Sequence, residues 1–275
     1  MPAKPDTIVL IHGLYLDSRS WEGWADRYSS RGYKVLTPSW PGLEGGVEEL
    51  RKDPTPLTKL DMTKIVDHYD AIIRGLETPP IIMGHSLGGT ITQVLLDRGL
   101  GAVGVGIEAA TVKGILDLPL STLKANFAVL GNPFNRGKAT MLSPEQFRYG
   151  FTNTFTDAAA NAAYERYAIP GANRVLFQVA LQNLPGASAT KVNFRNHARA
   201  PMLFIAGGED HIVPAKVNEH MVKKYGKSSE AVTEVKVYPE RAHFTMIQEG
   251  WEEVADYALT WAEEHATARS KAAVG

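Results

Sequence analysis

The sequence predicts an α/β fold: a mostly parallel, doubly wound sheet of about six strands with helices on both faces, carrying an inserted helical region. Three observations lead there. Four short, apolar, β-branched runs alternate with stretches of helical period before Ala110, a pattern that parallel strands joined by crossover helices produce. The alternation stops between about Val112 and Arg199, then resumes with two further strand-and-helix units. At 275 residues the chain is long enough to bury both faces of such a sheet.

Taken in order, Thr7 to Ile11 is a continuous apolar run, as expected of a strand covered on both faces. It ends in His12-Gly13-Leu14-Tyr15. Asp17 or Ser18 then caps a helix with Trp21, Trp24, Ala25 and Tyr28 at helical spacing, expected in the core, and Gly32 stops it. Tyr33 to Thr37 is the second strand. Trp40 to Pro56, rich in Pro and Gly, reads as loop with a short helix near Val47 to Arg51. Thr58 and Asp61 form a capping pair for a helix burying Met62, Ile65, Val66, Tyr69, Ile72 and Ile73, with His68 off the apolar stripe and exposed. Ile81 to Met83 runs into Gly84-His85-Ser86-Leu87-Gly88-Gly89 and a helix to Arg98. Ala102 to Ile107 is the fourth strand. The insertion holds helices at Leu118–Phe127, Ser143–Thr154, Asp157–Ile169 and Arg174–Leu184 and no core strand. Pro201 to Ala206 and Thr233 to Tyr238 are the last strands, each followed by a loop and a helix, with Pro214 in the first turn of one. The tail after Ala266 reads as frayed.

Composition excludes several classes. A formal charge of −1 implies neither nucleic acid nor an anionic membrane as partner. Cysteine is absent, so disulfides and thiol catalysis are out. No run reaches membrane-span length, and Met1 to Asp6 has no apolar signal core, so the expectation is a cytoplasmic protein acting on a small molecule. No cofactor or metal is expected.

The chemistry centres on Gly84-His85-Ser86-Leu87-Gly88. A serine at so sharp a strand-to-helix turn takes a strained backbone conformation, and side chains two positions either side would collide, so glycine sits at both. The loop lacks the lysine of a P-loop and the spacing of a dinucleotide fingerprint. In an open parallel sheet, working groups gather beyond the carboxyl ends of the strands. Asp210 and His243 follow two other strands there. A serine hydroxyl needs an imidazole to take its proton, and the imidazole needs a carboxylate to fix its tautomer. Asp210 also fits the role of a cap for the following helix, and Glu108, at the end of the fourth strand, is the alternative acid. His211 and His85 are nearby in sequence, but His85 precedes the serine and suits a supporting role. His197, His220 and His265 read as surface residues. Two backbone donors for a developing oxyanion are expected from Leu87 N–H and from Leu14 N–H.

These stretches, with Ile11-His12-Gly13, Gly208-Glu209-Asp210 through Pro214, and Ala242-His243, resemble the α/β-hydrolase fold superfamily in its capped, serine-nucleophile, esterase-like branch. The resemblance covers roughly residues 7–111 and 200–266. It implies that residues 1–111 and 200–275 form the hydrolase core, that 112–199 form a helical cap, and that Ser86 is nucleophile, His243 base and Asp210 acid. Only a few residues precede the first strand, so the superfamily's opening antiparallel strands are not expected. Relatives that attack with aspartate, such as epoxide hydrolases, are set aside by the serine.

The implied activity is hydrolysis of a carboxylic ester through an acyl-enzyme. The alternatives are the same triad used on a thioester, lactone, amide or C–C bond or for acyl transfer or perhydrolysis, or a ligand-binding protein without turnover. Cap aromatics such as Phe127, Phe134, Phe151 and Phe177 point to a medium-sized apolar or aromatic substrate. Between Val112 and Ala198, nine Lys/Arg against four Asp/Glu leave +5, a charge that suits either an anionic substrate or a solvated surface.

Overall fold

The computed structural model describes residues 5–187 and 189–266. The first four residues and the expected frayed tail lie outside the described residues.

The chain begins with β1 (Thr7–Ile11), a 3-10 turn over Ser18–Trp21, α1 (Glu22–Ser29) and β2 (Lys34–Leu36). Then come α2 (Gly46–Lys52), α3 (Thr55–Thr58), α4 (Met62–Arg74), β3 (Ile81–His85), α5 (Leu87–Asp97) and β4 (Val103–Ile107). The insert between β4 and the next core strand carries α6 (Leu120–Leu130), β5 (Ala139–Thr140), α7 (Pro144–Phe151), α8 (Asp157–Tyr167), β6 (Gly171–Ala172) and α9 (Asn173–Ala180). The core resumes with β7 (Met202–Gly207), α10 (Ala215–Gly226), β8 (Thr233–Tyr238) and α11 (Trp251–His265).

Six strands form one sheet in the order β2-β1-β3-β4-β7-β8, and every pairing in it is parallel. β1, β3, β4 and β7 are buried along their whole length, which is why each reads as an unbroken apolar run. α1 and α11 share one face: Trp24 stacks on Trp251, and Tyr28 Oη–H donates to the Ala255 carbonyl at 2.8 Å. Trp21, Trp24 and Tyr28 are fully buried there, as their spacing predicts. α4 packs on α5 and α10 against β7 and β8, and right-handed crossovers put these on the opposite face.

Some local expectations need correction. Asp61 caps α4 alone, accepting Lys64 N–H, while the Thr58 hydroxyl donates to the Thr55 carbonyl; the intervening turn carries Thr58 away. His68 is half-buried rather than exposed, its Nε2 bonded to the Ser39 carbonyl at 3.1 Å. The insert has a small antiparallel ladder, β5 with β6, too short for periodicity to reveal. Ser143 and Gln146 do form a full capping box on α7. No helix among the described residues is long and apolar enough to cross a membrane.

Candidate active site

The β3–α5 turn is built by close approach. A β-carbon on Gly84 would sit 2.1 Å from the Gly88 carbonyl oxygen, and one on Gly88 would sit 2.0 Å from the Ile11 carbonyl oxygen of the neighbouring strand. Both positions therefore admit only glycine. Between them Ser86 adopts φ 54° and ψ −116°, a conformation that costs an L-residue on the order of 1–3 kcal/mol and survives where packing over-determines it. The turn aims the hydroxyl off the sheet edge, at the amino end of α5.

Three residues from three strand ends meet there. His243 Nδ1 lies 2.6 Å from Asp210 Oδ2, and both side chains are wholly shielded from solvent. A carboxylate only accepts, so Nδ1 carries the proton and Nε2 offers its lone pair. Ser86 Oγ–H donates to that nitrogen at 3.0 Å. Asp210 does not cap α10, whose N-cap is Pro214 with no side-chain cap bond; its Oδ1 instead accepts the N–H groups of Ile212 at 2.7 Å and Val213 at 2.8 Å in the loop before the helix. Those bonds hold the carboxylate, leaving Oδ2 for the imidazole.

The other candidates fall elsewhere. Glu108 is fully buried, its Oε2 accepting Gly207 N–H at 2.7 Å. Burial first, then the charge of Asp210, push its carboxyl well above the usual carboxylate range. His211 turns to the insert, stacked on Tyr149 and bonded through Nδ1 to the Tyr149 carbonyl. His85 does not approach the serine hydroxyl; its Nε2–H donates to the His243 backbone carbonyl at 2.7 Å. Leu14 and Leu87 line the same cavity as Ser86 and His243, and as the first residue of α5 Leu87 has no carbonyl within the helix for its N–H.

One supporting residue escaped the sequence reading. His12 stacks on Trp40 at 4.8 Å, donates Nδ1–H to the Gly13 carbonyl at 2.9 Å and accepts Trp40 N–H on Nε2 at 3.2 Å. It thereby fixes the loop that presents Leu14. Only the sharp turn was legible there, because Trp40 is remote in sequence.

A cavity of about 180 Å³ stands over Ser86 and His243. The insert supplies most of its wall, which is mainly aliphatic through Ile115, Leu123, Leu130, Leu176 and Val179, with Phe151 beside His243 and polar groups from Asp117, Asn126, Gln182 and Asn183. The expectation that some cap aromatics line the cleft holds for Phe151. Phe127 and Phe134 point to solvent, 71% and 87% exposed. Phe147 and Phe151 stack on each other and edge onto Phe244; they pin the insert to the loop of His243. Among the described residues no Lys or Arg lines the cavity, so the positive charge of the insert belongs to its outer surface.

The chain belongs to the Alpha/beta hydrolase family, whose model matches residues 8–257. Solved structures of similar architecture include an extracellular alpha/beta-hydrolase from a Paenibacillus species, described as sharing structural and functional homology with tobacco salicylic acid binding protein 2. It is 20% identical with a TM-score of 0.68, over 93% of this chain and 98% of that one. A pyrethroid hydrolase from Sphingobium faniae JZ-2 is 20% identical with a TM-score of 0.61, over 94% and 98%. Tomato methylketone synthase I, solved with 2-tridecanone, is 16% identical with a TM-score of 0.69, over 95% and 99%.

Proposed function

We propose that this protein is a serine hydrolase that cleaves a carboxylic ester of a medium-sized, apolar, mainly aliphatic substrate through an acyl-enzyme. The observation that carries the proposal is the continuous hydrogen-bonded line from Ser86 Oγ through His243 to Asp210 at the floor of an apolar cavity. Residues 112–199 act as the cap whose wall selects the substrate.

In this reading His243 Nε2 takes the hydroxyl proton as Ser86 Oγ attacks the ester carbonyl, and Asp210 stabilises the imidazolium that forms. The N–H groups of Leu14 and Leu87 meet the oxyanion, each worth about 3 kcal/mol of barrier. His243 then passes the proton to the departing alcohol oxygen. A water, deprotonated by the same nitrogen, attacks the acyl carbon, and His243 returns that proton to Ser86 Oγ as the acyl–oxygen bond breaks and the acid leaves. The ester bond is favoured because a polyneuridine aldehyde esterase and an Arabidopsis methylesterase share the architecture and because the wall offers an acyl or alkyl chain contact without a cation to hold a charged group.

A fluorophosphonate probe tests the nucleophile. Labelling of the wild type and none of Ser86→Ala is the expected result, and an unlabelled wild type would sink the reading. Asp210→Asn should lower kcat roughly 10³- to 10⁴-fold by allowing the wrong imidazole tautomer. A series of p-nitrophenyl esters of rising acyl length should show KM falling as the chain lengthens, since each buried methylene is worth about 0.8 kcal/mol; a preference for acetate over all longer chains would refute the aliphatic assignment.

A further inference from the structure

His243 lies in the loop between β8 and α11, and two side chains of that loop close it on itself. The Arg241 guanidinium, two residues before the histidine, donates to the carbonyls of Gln248 at 3.3 Å, Glu249 at 2.7 Å and Gly250 at 2.8 Å. Gln248 answers from the other end: Oε1 accepts Ala242 N–H at 2.9 Å, and Nε2–H donates to the Glu240 carbonyl at 3.0 Å. Its amide pairs with the backbone leading into His243 as a neighbouring strand would. The Arg241 backbone faces the other way. Its carbonyl accepts Glu209 N–H at 3.1 Å and packs on Gly207, where a β-carbon would lie 2.3 Å from that oxygen. Arg241 thus ties the loop of the base to the loop of Asp210. At and after the histidine, the His243 carbonyl is held by His85 and Phe244 N–H by Phe151. Before it, the partner of the fully buried Ala242 N–H is Gln248.

We propose that Gln248 and Arg241 are positioning residues for the base: their reciprocal clasp fixes the backbone at Ala242 and so holds the His243 ring at once 2.6 Å from Asp210 and 3.0 Å from Ser86. The proposal rests on the triad reading above and deepens it. Neither side chain lines the cavity, so the clasp acts on the imidazole and not on substrate binding. An imidazole displaced by about an ångström forfeits on the order of 10²-fold in rate. The two bonds of Gln248 are unequal. Ala242 is fully buried, so its N–H cannot turn to water when the acceptor goes, whereas Glu240 is exposed and its carbonyl can. Glutamate at this position keeps the acceptor and forfeits only the donor; methionine keeps the length and forfeits both.

The test compares wild type, Gln248→Met and Gln248→Glu by kcat and KM on a p-nitrophenyl ester. It also follows the proton NMR signal of His243 Nδ1–H, which a short bond to a carboxylate moves far downfield. With methionine, kcat should fall roughly 30- to 100-fold while KM stays within about twofold, and the downfield signal should broaden or vanish. With glutamate, kcat should return to within about fivefold of wild type and the signal should persist. A methionine variant with kcat within about twofold of wild type and the signal intact would overturn the proposal. So would a glutamate variant as impaired as the methionine one, or a loss that falls on KM alone, which would place Gln248 in substrate binding. Should Gln248→Met not fold, Arg241→Gln, which loses the fork that spans three carbonyls, carries the same expectations on the same readouts. If the wild type turns over no ester, the hydrolase reading fails, and the Nδ1 proton signal across the variants still decides the clasp.

Discussion

Three buried histidines gather about the candidate site, and burial acts on two of them. His12 is wholly buried, and loss of hydration pushes its imidazole down to about 4 against the opposing pull of the Gly13 carbonyl. His85 is lowered well below its ordinary value, by burial first and by the neighbouring His243 second. Only His243 faces a carboxylate. The linkage sign follows. An imidazole depressed in the native state binds its proton more readily when unfolded, so its contribution is complete above pH about 6.5 and is lost as pH falls toward 4. For His12 this amounts to on the order of 3 kcal/mol. Glu108 works the other way: its raised carboxyl contributes fully below its unfolded value and loses that contribution as pH climbs through the native one. Thermal midpoints measured from pH 8 to 4 should therefore fall below pH about 6.5, before ordinary carboxylates titrate. In a His12→Gln variant that fall should be smaller, and an identical slope would show that His12 is not kept neutral.

At the scale of elements, the turn between β3 and α5 is the most constrained piece of backbone. Gly84→Ala drives a methyl into the Gly88 carbonyl and should cost at least about 3 kcal/mol, beyond ordinary overpacking. Gly137, where an added β-carbon meets nothing within 4 Å, is the control, and its alanine variant should unfold within about 0.5 kcal/mol of wild type. Urea titration of the two checks both. This turn was legible in the sequence because its rule is local: strand, glycine, serine, glycine, helix. The partners Asp210 and His243 were legible for a topological reason, since parallel strands bring their following loops to one edge. The cavity wall was not. Phe127 and Val129 are two positions apart on α6, one 71% exposed and the other fully buried, and which of them faces inward depends on how the helix is set against its neighbours. Periodicity finds an apolar face but not what stands opposite.

For the whole molecule, the insert and the site cannot be separated. Phe244 N–H donates to the Phe151 carbonyl, and Ile169 N–H to the Tyr15 carbonyl, each at 2.9 Å. Asn153 Nδ2–H reaches the Glu209 carbonyl, and the Thr122 hydroxyl reaches that of Ile212. The loops that carry Leu14, Asp210 and His243 are thus braced from the same side. Arg51 adds a clamp from α2, donating to the carbonyls of Ala168 and Tyr164. Arg51→Met should expose α8 amides to hydrogen exchange while leaving β1, β3 and β4 protected; equal loss across the sheet would mean that the insert has no independent stability.

The pairing of Ser86 with His243 joins positions 157 apart in the chain, and β8 stands at the sheet edge beyond β7. Contacts so distant form only after the intervening chain has been confined, which makes them slow. Catalytic competence should accordingly be the last property regained on dilution from denaturant. Far-ultraviolet dichroism should recover ahead of ester turnover, with phosphonate labelling tracking turnover. Coincident recovery of all three would mean instead that sheet and site arise in one cooperative step.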